Sequence, residues 1–457
     1  MKRSEEYRQL QIEFVTGLKE STFWEVEKLT LFFYISTLFS PSLIQVLFGN
    51  RYPEGKAKRV SLFIVEFLSF ALPNILILAF SDYFLIITSA IFLLIVLFHF
   101  LKGPIFCSFK RPAKHDEKFI VFIGSFRGAL VLCTAISILA VDFHFFPRKF
   151  AKTEDYGISH MDIGVGTFVM SNALVSQPVR EYVSNMFSST HQNDEHQPKR
   201  IFANFDNRLT SITFNKVSEL SRACLGIWCP LEFFCFTCLP KSLLFFNIPS
   251  RHTQIFWFIR RYPFSHLPNP LSKFGLAEWI LSDQRRNLFE ANKDGACSLV
   301  GYLALFLIGS NLGYLILKNV RSKQKSWKAF TLKLVATDIL LFVCAALSHA
   351  YIQKSSRKMV NCTYCLFVLS NSILSIVCFS LIDSFTVTPQ HQLQSSFTKN
   401  QLPRFLFANL LTGLINICFE TLYINNLLSA IILSIYMLLL TSSAQILKNL
   451  NINLKFW

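Results

Sequence analysis

The stretch YFLIITSAIFLLIVLFHFL, residues 83–101, decides the fold class, because none of its 19 side chains is Asp, Glu, Lys or Arg. As an α-helix it would rise by about 28 Å, close to the roughly 30 Å of hydrocarbon in a bilayer. Asp82 precedes the stretch and Lys102 follows it. The stretch therefore predicts a transmembrane helix with a charged residue at each membrane surface.

Apolar stretches of similar length recur along the whole chain of 457 residues. Hydrophobic residues make up 52% of it and charged residues only 16%, against about 25% charged residues in soluble domains. We predict spans at residues 29–48, 60–80, 83–101, 119–141, about 159–176, 297–317, 329–351, 362–382, 405–423 and 427–447, with two or three more between residues 209 and 283. The pattern predicts an all-α polytopic transmembrane bundle of about 13 spans. We expect one integral-membrane domain over residues 1–457, with a polar cytosolic loop at about 177–208.

The charge pattern orients this bundle. The chain carries 45 Lys and Arg against 28 Asp and Glu, and the excess lies in short loops such as residues 51–59, 102–118 and 318–328. Because basic loops stay on the cytoplasmic side, we expect a lumenal N-terminus and a cytosolic C-terminus. The loop with Lys354 and Arg357 contradicts this scheme, so either the span count is shifted by one or these cations bind lipid phosphates. No nucleic-acid-reading motif accompanies the charge, so we expect no nucleic-acid partner.

The 12 cysteines are scattered through apolar runs. The pairs Cys235/Cys238 and Cys362/Cys365 have the spacing of metal ligands, but no His or Cys partners follow at zinc-like distances. We therefore expect no metal site and no bound cofactor.

The most informative segment follows the fourth predicted span and reads AVDFHFFPRKFAKTEDYGISHMDIGVGTFVMSNALVS, residues 140–176. Asp142 lies where the helix emerges, and Lys152 follows ten residues later, beyond a turn at Pro147. A carboxylate at a helix C-terminus, partly out of water, should have a raised pKa, and a nearby ammonium would make the pair suited to proton transfer. The alternative is an interfacial ion pair worth about 0 to 1 kcal/mol.

Several cations are candidates for binding an anionic substrate. Arg148 and Lys149 lie on the predicted lumenal side, where basic residues are disfavoured, and could hold a phosphate. Arg127 lies within the fourth span, where a charge is expensive. It could contact a phosphate or form a structural bridge to Glu66 or Asp338.

A second group of polar candidates lies near the C-terminus. Asn409, Thr412 and Asn416 recur three or four residues apart, which places them on one face of a helix. They could line a cavity for a polar headgroup, or form hydrogen bonds between membrane helices.

The run FPRKFAKTEDYG with MDIGVGTFVMSNALVS resembles the signature of the PIG-W family, the inositol acyltransferases of glycosylphosphatidylinositol (GPI) anchor synthesis in the endoplasmic reticulum. Further matches occur in the expected order, at residues 14–17, 292–302, 356–364 and 408–416. The segment CLGIWCPLEFF, residues 224–234, departs from the family pattern.

The resemblance implies a multi-pass protein of the endoplasmic reticulum membrane. It implies transfer of a fatty acyl chain such as palmitoyl from acyl-CoA to an inositol hydroxyl of glucosaminyl-phosphatidylinositol. In the family, the positions of Asp142 and Lys152 look like the catalytic pair. If Asp142 is not the base, Asp162 is our next candidate. We therefore expect acyl-CoA, the glycolipid and the lipid bilayer as partners. The expected substrate-binding residues are Arg148, Lys149, Asp162, Asn172, Arg127, Asn409, Thr412 and Asn416.

Two other functions fit part of the pattern. A polytopic transporter of a lipid or small solute would explain buried charges and Gly-interrupted helices, although no internal repeat is visible. A histidine-dependent membrane O-acyltransferase would need an intramembrane His, and His99 and His349 are the candidates, neither in a recognisable motif.

Overall fold

The structure is a computed structural model. It describes residues 5–49, 56–80, 83–102, 114–116, 119–176, 276–282, 286–321, 327–385, 392–452 and 454. The polar loop predicted at 177–208 lies outside these residues. So do the divergent segment 224–234 and the spans predicted between 209 and 283, except for residues 276–282.

The described residues are almost entirely helical. In chain order the helices are α1 (Glu5–Val15), α2 (Phe23–Phe48), α3 (Lys56–Glu66), α4 (Leu72–Ala79), α5 (Phe84–Lys102), α6 (Val121–Ala140), α7 (Ile163–Ala173), α8 (Leu276–Leu281), α9 (Leu288–Ala291), α10 (Lys293–Arg321), α11 (Trp327–Tyr351), α12 (Cys362–Phe385), α13 (Gln392–Thr398), α14 (Gln401–Cys418) and α15 (Asn426–Asn449). A π-helical segment, Phe67–Ala71, joins α3 to α4, and 3₁₀ turns form at Arg148–Phe150 and Thr421–Tyr423. The strands β1 (Lys114–Asp116) and β2 (Phe119–Ile120) form a short antiparallel pair before α6.

Eight helical stretches among the described residues are long and apolar enough to cross a membrane. They are Phe23–Phe48, Val60–Leu78, Phe84–Leu101, Val121–Ala140, Lys293–Val320, Trp327–Tyr351, Cys362–Phe385 and Asn426–Asn449. Each corresponds to a predicted span, which confirms a multi-pass helical membrane protein. The total of about 13 spans and the orientation of the termini stay predictions.

Two predicted spans differ from the structure. The fifth, expected at residues 159–176, contains only the 11-residue helix α7, which rises by about 16 Å and is too short to cross the hydrocarbon core. Its start is delayed because residues up to Asp162 form a turn, in which the Asp162 amide donates to the carbonyl of Ser159. The span expected at residues 405–423 is α14, which ends at Cys418 because Phe419 is extended.

The chain divides into two compact units, and unit 1 comprises Met1–Phe168, Lys325–Ala346 and Phe367–Trp457. Its short helix α13 packs against α6 so closely that a Cβ at Gly128 would lie 2.2 Å from the carbonyl oxygen of Gln394. The buried carboxylate of Glu66 accepts hydrogen bonds of 2.9 and 2.7 Å from the first two backbone amides of α13. These contacts give a buried membrane carboxylate a structural role.

Unit 2 comprises Val169–Gln324 and Leu347–Leu366. Its helix α10 approaches the loop before α12 closely, since a Cβ at Gly301 would lie 2.4 Å from the carbonyl oxygen of Val360. The fully buried ammonium of Lys293 donates to the carbonyls of Trp279 and Ser282, at 2.5 and 2.6 Å. Lys293 therefore ties the start of α10 to the end of α8.

Candidate functional site

The candidate site in unit 1 is centred on Asp142, in the turn that ends α6. The turn is held by backbone bonds, including one of 3.1 Å from the Asp142 amide to the carbonyl of Leu139. The Asp142 carboxylate accepts a 2.7 Å hydrogen bond from the side-chain amide of Asn416 in α14. Burial raises the pKa of Asp142, while the hydrogen bond from Asn416 and the charge of Arg148 lower it in part. Asp142 is thus a carboxylate with enhanced basicity.

Only one of the three polar candidates on α14 contacts Asp142. Asn416 does so through its amide. Thr412 lies one turn earlier and is buried. The amide of Asn409 donates to the carbonyl of Phe405 in its own helix, at 2.7 Å.

Arg148 supports the turn that carries Asp142. Its guanidinium donates to the backbone carbonyls of Phe146, Val141 and Phe143 at 3.1, 2.8 and 3.2 Å. It also lies over the ring of Phe14, 3.9 Å from the centroid. Burial lowers the pKa of Arg148 to about 10, which still leaves it cationic near neutral pH. The group expected to hold a phosphate therefore has a structural role within the chain.

Lys149, the second expected phosphate ligand, pairs with Glu25 in the first turn of α2. The ammonium and carboxylate are 2.8 Å apart, and the two side chains are 41% and 27% exposed. The same turn is fixed by a capping box between Thr22 and Glu25. Because the pair is accessible, an anionic ligand could compete with Glu25 for Lys149.

Lys152 lies in the exposed part of the loop. Within the residues that the structure describes, its ammonium forms no hydrogen bond or ion pair, including with Asp142. The close pairing expected from the ten-residue spacing is therefore not observed. The Lys152 side chain is instead available to a group that approaches from outside the chain.

Asp162 fixes the segment next to Lys152. Its carboxylate accepts bonds from the Thr153 backbone amide at 3.2 and 3.3 Å and from the Thr153 hydroxyl at 2.9 Å. Asp162 and Thr153 are each 2% exposed. These contacts suit a positioning role, because they hold the backbone beside Lys152.

Arg127 and Asn172 each have contacts of their own within the chain. The Arg127 guanidinium donates to the side chain of Gln401 at 2.7 Å. It precedes Asp142 by 15 residues, about 22 Å along a helix. Asn172 is in unit 2, and its backbone carbonyl accepts a 3.3 Å bond from the amide of Val175.

The N-terminal segment covers the Asp142 loop. The Gly17 amide donates to the carboxylate of Glu154 at 2.8 Å, and the Ser21 amide donates to the carbonyl of Ile158 at 2.9 Å. Residues 14–25 and 144–158 therefore lie at the same end of unit 1, as an even number of intervening spans requires. Sequence reasoning missed these contacts because no local pattern marks partners more than 100 residues apart.

A second polar contact missed in the sequence joins α6 to the loop. The sulfur of Cys133 and Nε2 of His160 are 3.2 Å apart. Burial lowers the pKa of His160 to about 4, so its imidazole is neutral at physiological pH. No group of three or more potential metal ligands occurs in the described ranges.

These features define a class of protein: a multi-pass helical membrane protein with a half-buried carboxylate where one span ends and an exposed lysine in the loop beyond it. A family model, GWT1, matches residues 7–214 and 233–447. The chain belongs to the GWT1 family. The gap in the match, residues 215–232, contains most of the segment that departs from the family pattern.

The relatives found by sequence comparison agree with this assignment. The phosphatidylinositol-glycan biosynthesis class W protein of Dictyostelium discoideum is 32% identical over 504 residues, which cover 99% of this chain and 100% of the relative. GPI-anchored wall transfer protein 1 of Candida albicans is 31% identical over 374 residues, covering 73% of this chain and 76% of the relative. That of Schizosaccharomyces pombe is 27% identical over 365 residues, with 75% and 76% covered.

Proposed function

We propose that this protein is an O-acyltransferase of GPI-anchor biosynthesis in the endoplasmic reticulum membrane. It moves a fatty acyl chain from acyl-CoA to a hydroxyl of the inositol ring in glucosaminyl-phosphatidylinositol. Membership of the GWT1 family and the names of the relatives support the pathway. The glycolipid acceptor and the acyl donor both have long apolar chains, which suits a protein with eight apolar helices among its described residues.

The observation that carries the proposal is the environment of Asp142. A hydroxyl group is a weak nucleophile and needs a base to accept its proton as it attacks a thioester. Asp142 is a half-buried carboxylate whose pKa is raised by burial, so it is a better base than an exposed aspartate. Asn416 donates to one carboxylate oxygen, which orients the group toward an incoming hydroxyl.

The proposed reaction is a direct transfer. Asp142 takes the proton of the inositol hydroxyl as its oxygen attacks the thioester carbonyl carbon. The new carbon–oxygen bond forms, the carbon–sulfur bond breaks, and the leaving sulfur takes the proton back from Asp142, so that CoA departs as the free thiol and the carboxylate is regenerated. Lys152 donates to the carbonyl oxygen while negative charge develops there, a contribution that is often large.

This role requires Lys152 to approach Asp142 when substrates are bound. Its exposed ammonium has no partner among the described residues that would have to be displaced. The adjacent backbone at Thr153 is held by Asp162, while the Lys152 side chain is exposed.

The test uses cells that lack the inositol acyltransferase, with this chain expressed in its native form or as Asp142→Asn. We expect the native chain to restore acylated glucosaminyl-phosphatidylinositol and the variant, at equal abundance, not to. Purified protein should also transfer a labelled acyl group from acyl-CoA to the glycolipid. Movement of lipid or solute across vesicles without acyl transfer would contradict the proposal and favour a transporter.

A further inference from the structure

A pair of carboxyl groups lies between three membrane helices of unit 1, α2, α11 and α12. The ring of Phe23 on α2 is 6.5 Å from that of Phe342 on α11 and 4.4 Å from that of Phe367 on α12. One helical turn inward from this contact, α2 carries Glu27 and α11 carries Asp338. The two carboxyl groups lie within range of a direct electrostatic interaction.

Hydrogen bonds tie the surrounding residues together. The Ser370 hydroxyl on α12 donates to Asp338 at 2.7 Å. The neighbouring Asn371 amide donates to the hydroxyl of Thr30 at 3.1 Å. Thr30 lies three residues after Glu27 and therefore on the same face of α2. These bonds join α12 to α11 at Asp338, and α12 to α2 one helical turn from Glu27.

Glu27 keeps a free hydrogen-bond acceptor among the described residues. Its side chain is 7% exposed, and one carboxylate oxygen, Oε1, has no hydrogen-bond partner among the described residues. No Lys or Arg of the described ranges forms an ion pair with Glu27 or Asp338. Glu66 makes the contrast clear, because both of its buried oxygens accept backbone amides. A pair of carboxyl groups, of which Glu27 is buried with an unfilled acceptor and Asp338 is half-buried, points to a cationic ligand.

The chemistry favours an ammonium group over a metal ion. A hard metal cation needs about six or more oxygen ligands, and no cluster of three or more His, Cys, Asp or Glu ligands occurs in the described part of the chain. A primary ammonium needs three acceptors and is compact. The free oxygen of Glu27 and the carboxylate of Asp338 supply acceptors of the right charge.

The pair is connected to the Asp142 loop through the interior of unit 1. Tyr34 lies seven residues after Glu27, on the same face of α2, and lies near both Asp338 and Cys133. Cys133 in turn contacts His160 of the loop. Tyr34, Cys133 and His160 therefore form a chain of neighbours from the Glu27 face of α2 to the loop that carries Asp142 and Lys152.

We propose that Glu27 and Asp338 bind the primary ammonium of the hexosamine in the acceptor glycolipid. The inference rests on the proposed function, in which that lipid is the acyl acceptor. The amine is on the sugar next to the inositol ring, so one site would recognise it while Asp142 acts on the neighbouring ring. Glu27 and Asp338 then determine specificity for the free amine over its N-acetylated form.

The test measures binding and turnover separately, with glucosaminyl-phosphatidylinositol and its N-acetylated analogue as probes. Purified wild-type protein should bind the free-amine lipid more tightly, and Glu27→Gln or Asp338→Asn should weaken that binding by about 10- to 100-fold. Binding of the N-acetylated lipid and of acyl-CoA should not change. Glu66→Gln is the matched control: it alters another buried membrane carboxyl and should lower the melting temperature without changing the preference for the amine.

The outcomes separate the two proposals. If Glu27→Gln weakens the binding of both lipids equally, or leaves the preference for the amine intact, the inference is wrong. The two carboxyl groups would then share a proton or pair with another group of the chain. If the wild type prefers the amine but transfers no acyl group, the amine site stands and the proposed function fails. If it acylates both lipids equally well, the proposed function stands and the amine site fails.

Discussion

The carboxylate of Asp142 accepts a 2.7 Å hydrogen bond from the side-chain amide of Asn416, 274 positions later in the chain. The bond joins the end of α6 to the last turn of α14. It lowers the pKa of Asp142 against the larger upward effect of burial. Asn416 therefore controls the fraction of Asp142 that is ionised, and available as a base, at a given pH.

Replacing Asn416 with Leu removes this donor, so the pKa of Asp142 should rise further and the carboxylate should be protonated at higher pH. We expect the acid limb of the pH profile of kcat/KM to move to higher pH by about one unit. A hydrogen bond to a charged group contributes about 1.5–3 kcal/mol, and one pKa unit corresponds to about 1.4 kcal/mol. Asn319→Leu is the control, because its amide donates only to a carbonyl of its own helix, at 2.7 Å. An unmoved acid limb in Asn416→Leu would exclude Asp142 as the titrating base.

Single replacements at the proposed catalytic pair should reduce the rate strongly without unfolding the protein. Asp142→Asn keeps the size of the side chain but removes the base, and Lys152→Met keeps the apolar stem but removes the charge. We expect each to lower kcat by about 10²- to 10⁴-fold, with the double variant scarcely worse because the groups act together. Asp155→Asn, in the same loop, is the control. Near-full transfer by folded Asp142→Asn would move the search for the base to Asp162.

The membrane spans and the loop that carries the candidate site can be predicted from the sequence, but the hydrogen-bond partners of the site residues cannot. Uncharged stretches such as residues 83–101 predict the spans because the bilayer imposes their length. The motif around Asp142 likewise singles out the loop. By contrast, the bonds from Asn416 to Asp142 and from Lys149 to Glu25 join distant residues. They depend on how helices pack, which hydrophobicity alone leaves open.

The pair of Lys149 and Glu25 allows phosphate binding to be separated from structural pairing. If Lys149 binds the inositol-linked phosphate, Lys149→Ala should raise the apparent KM for the lipid, while Glu25→Gln should leave it unchanged or lower it by freeing the ammonium. If the two residues only pair with each other, both variants should act alike and weakly, since a partly exposed salt bridge contributes about 0–1 kcal/mol. The KM for acyl-CoA is the internal control in both cases.

Membrane orientation can be tested with single cysteines at exposed sites. Lys19 and Tyr156 are exposed and belong to segments that contact each other, so Lys19→Cys and Tyr156→Cys should react with an impermeant reagent from the same side. We expect that side to be the lumen, and a tag after Trp457 to face the cytosol. Thr153 is unsuitable as a labelling site, because it is buried and bonded to Asp162. Labelling of Tyr156→Cys from the cytosol would reverse the orientation.

Arg148 combines two roles that substitution can separate. Its planar guanidinium donates hydrogen bonds to three backbone carbonyls of the turn, and its charge lowers the pKa of Asp142. Arg148→Lys keeps the charge but loses the guanidinium that donates to the three carbonyls. It should therefore destabilise the protein by about 1–3 kcal/mol through unsatisfied carbonyls, and lower kcat, while the acid limb of the pH profile stays in place.

Arg148→Met removes the charge as well, so it should add an upward shift of that limb to the same loss of stability. Phe14→Leu removes only the ring under the guanidinium, and the loss should be smaller, about 0.5–1 kcal/mol. Melting temperature and the pH dependence of kcat/KM, measured on all three variants, check this order. If Arg148 instead bound the substrate phosphate, Arg148→Lys would raise the KM for the lipid and leave the melting temperature unchanged. That result would mean that the three carbonyl contacts contribute little, and that the turn carrying Asp142 is held by its backbone bonds alone.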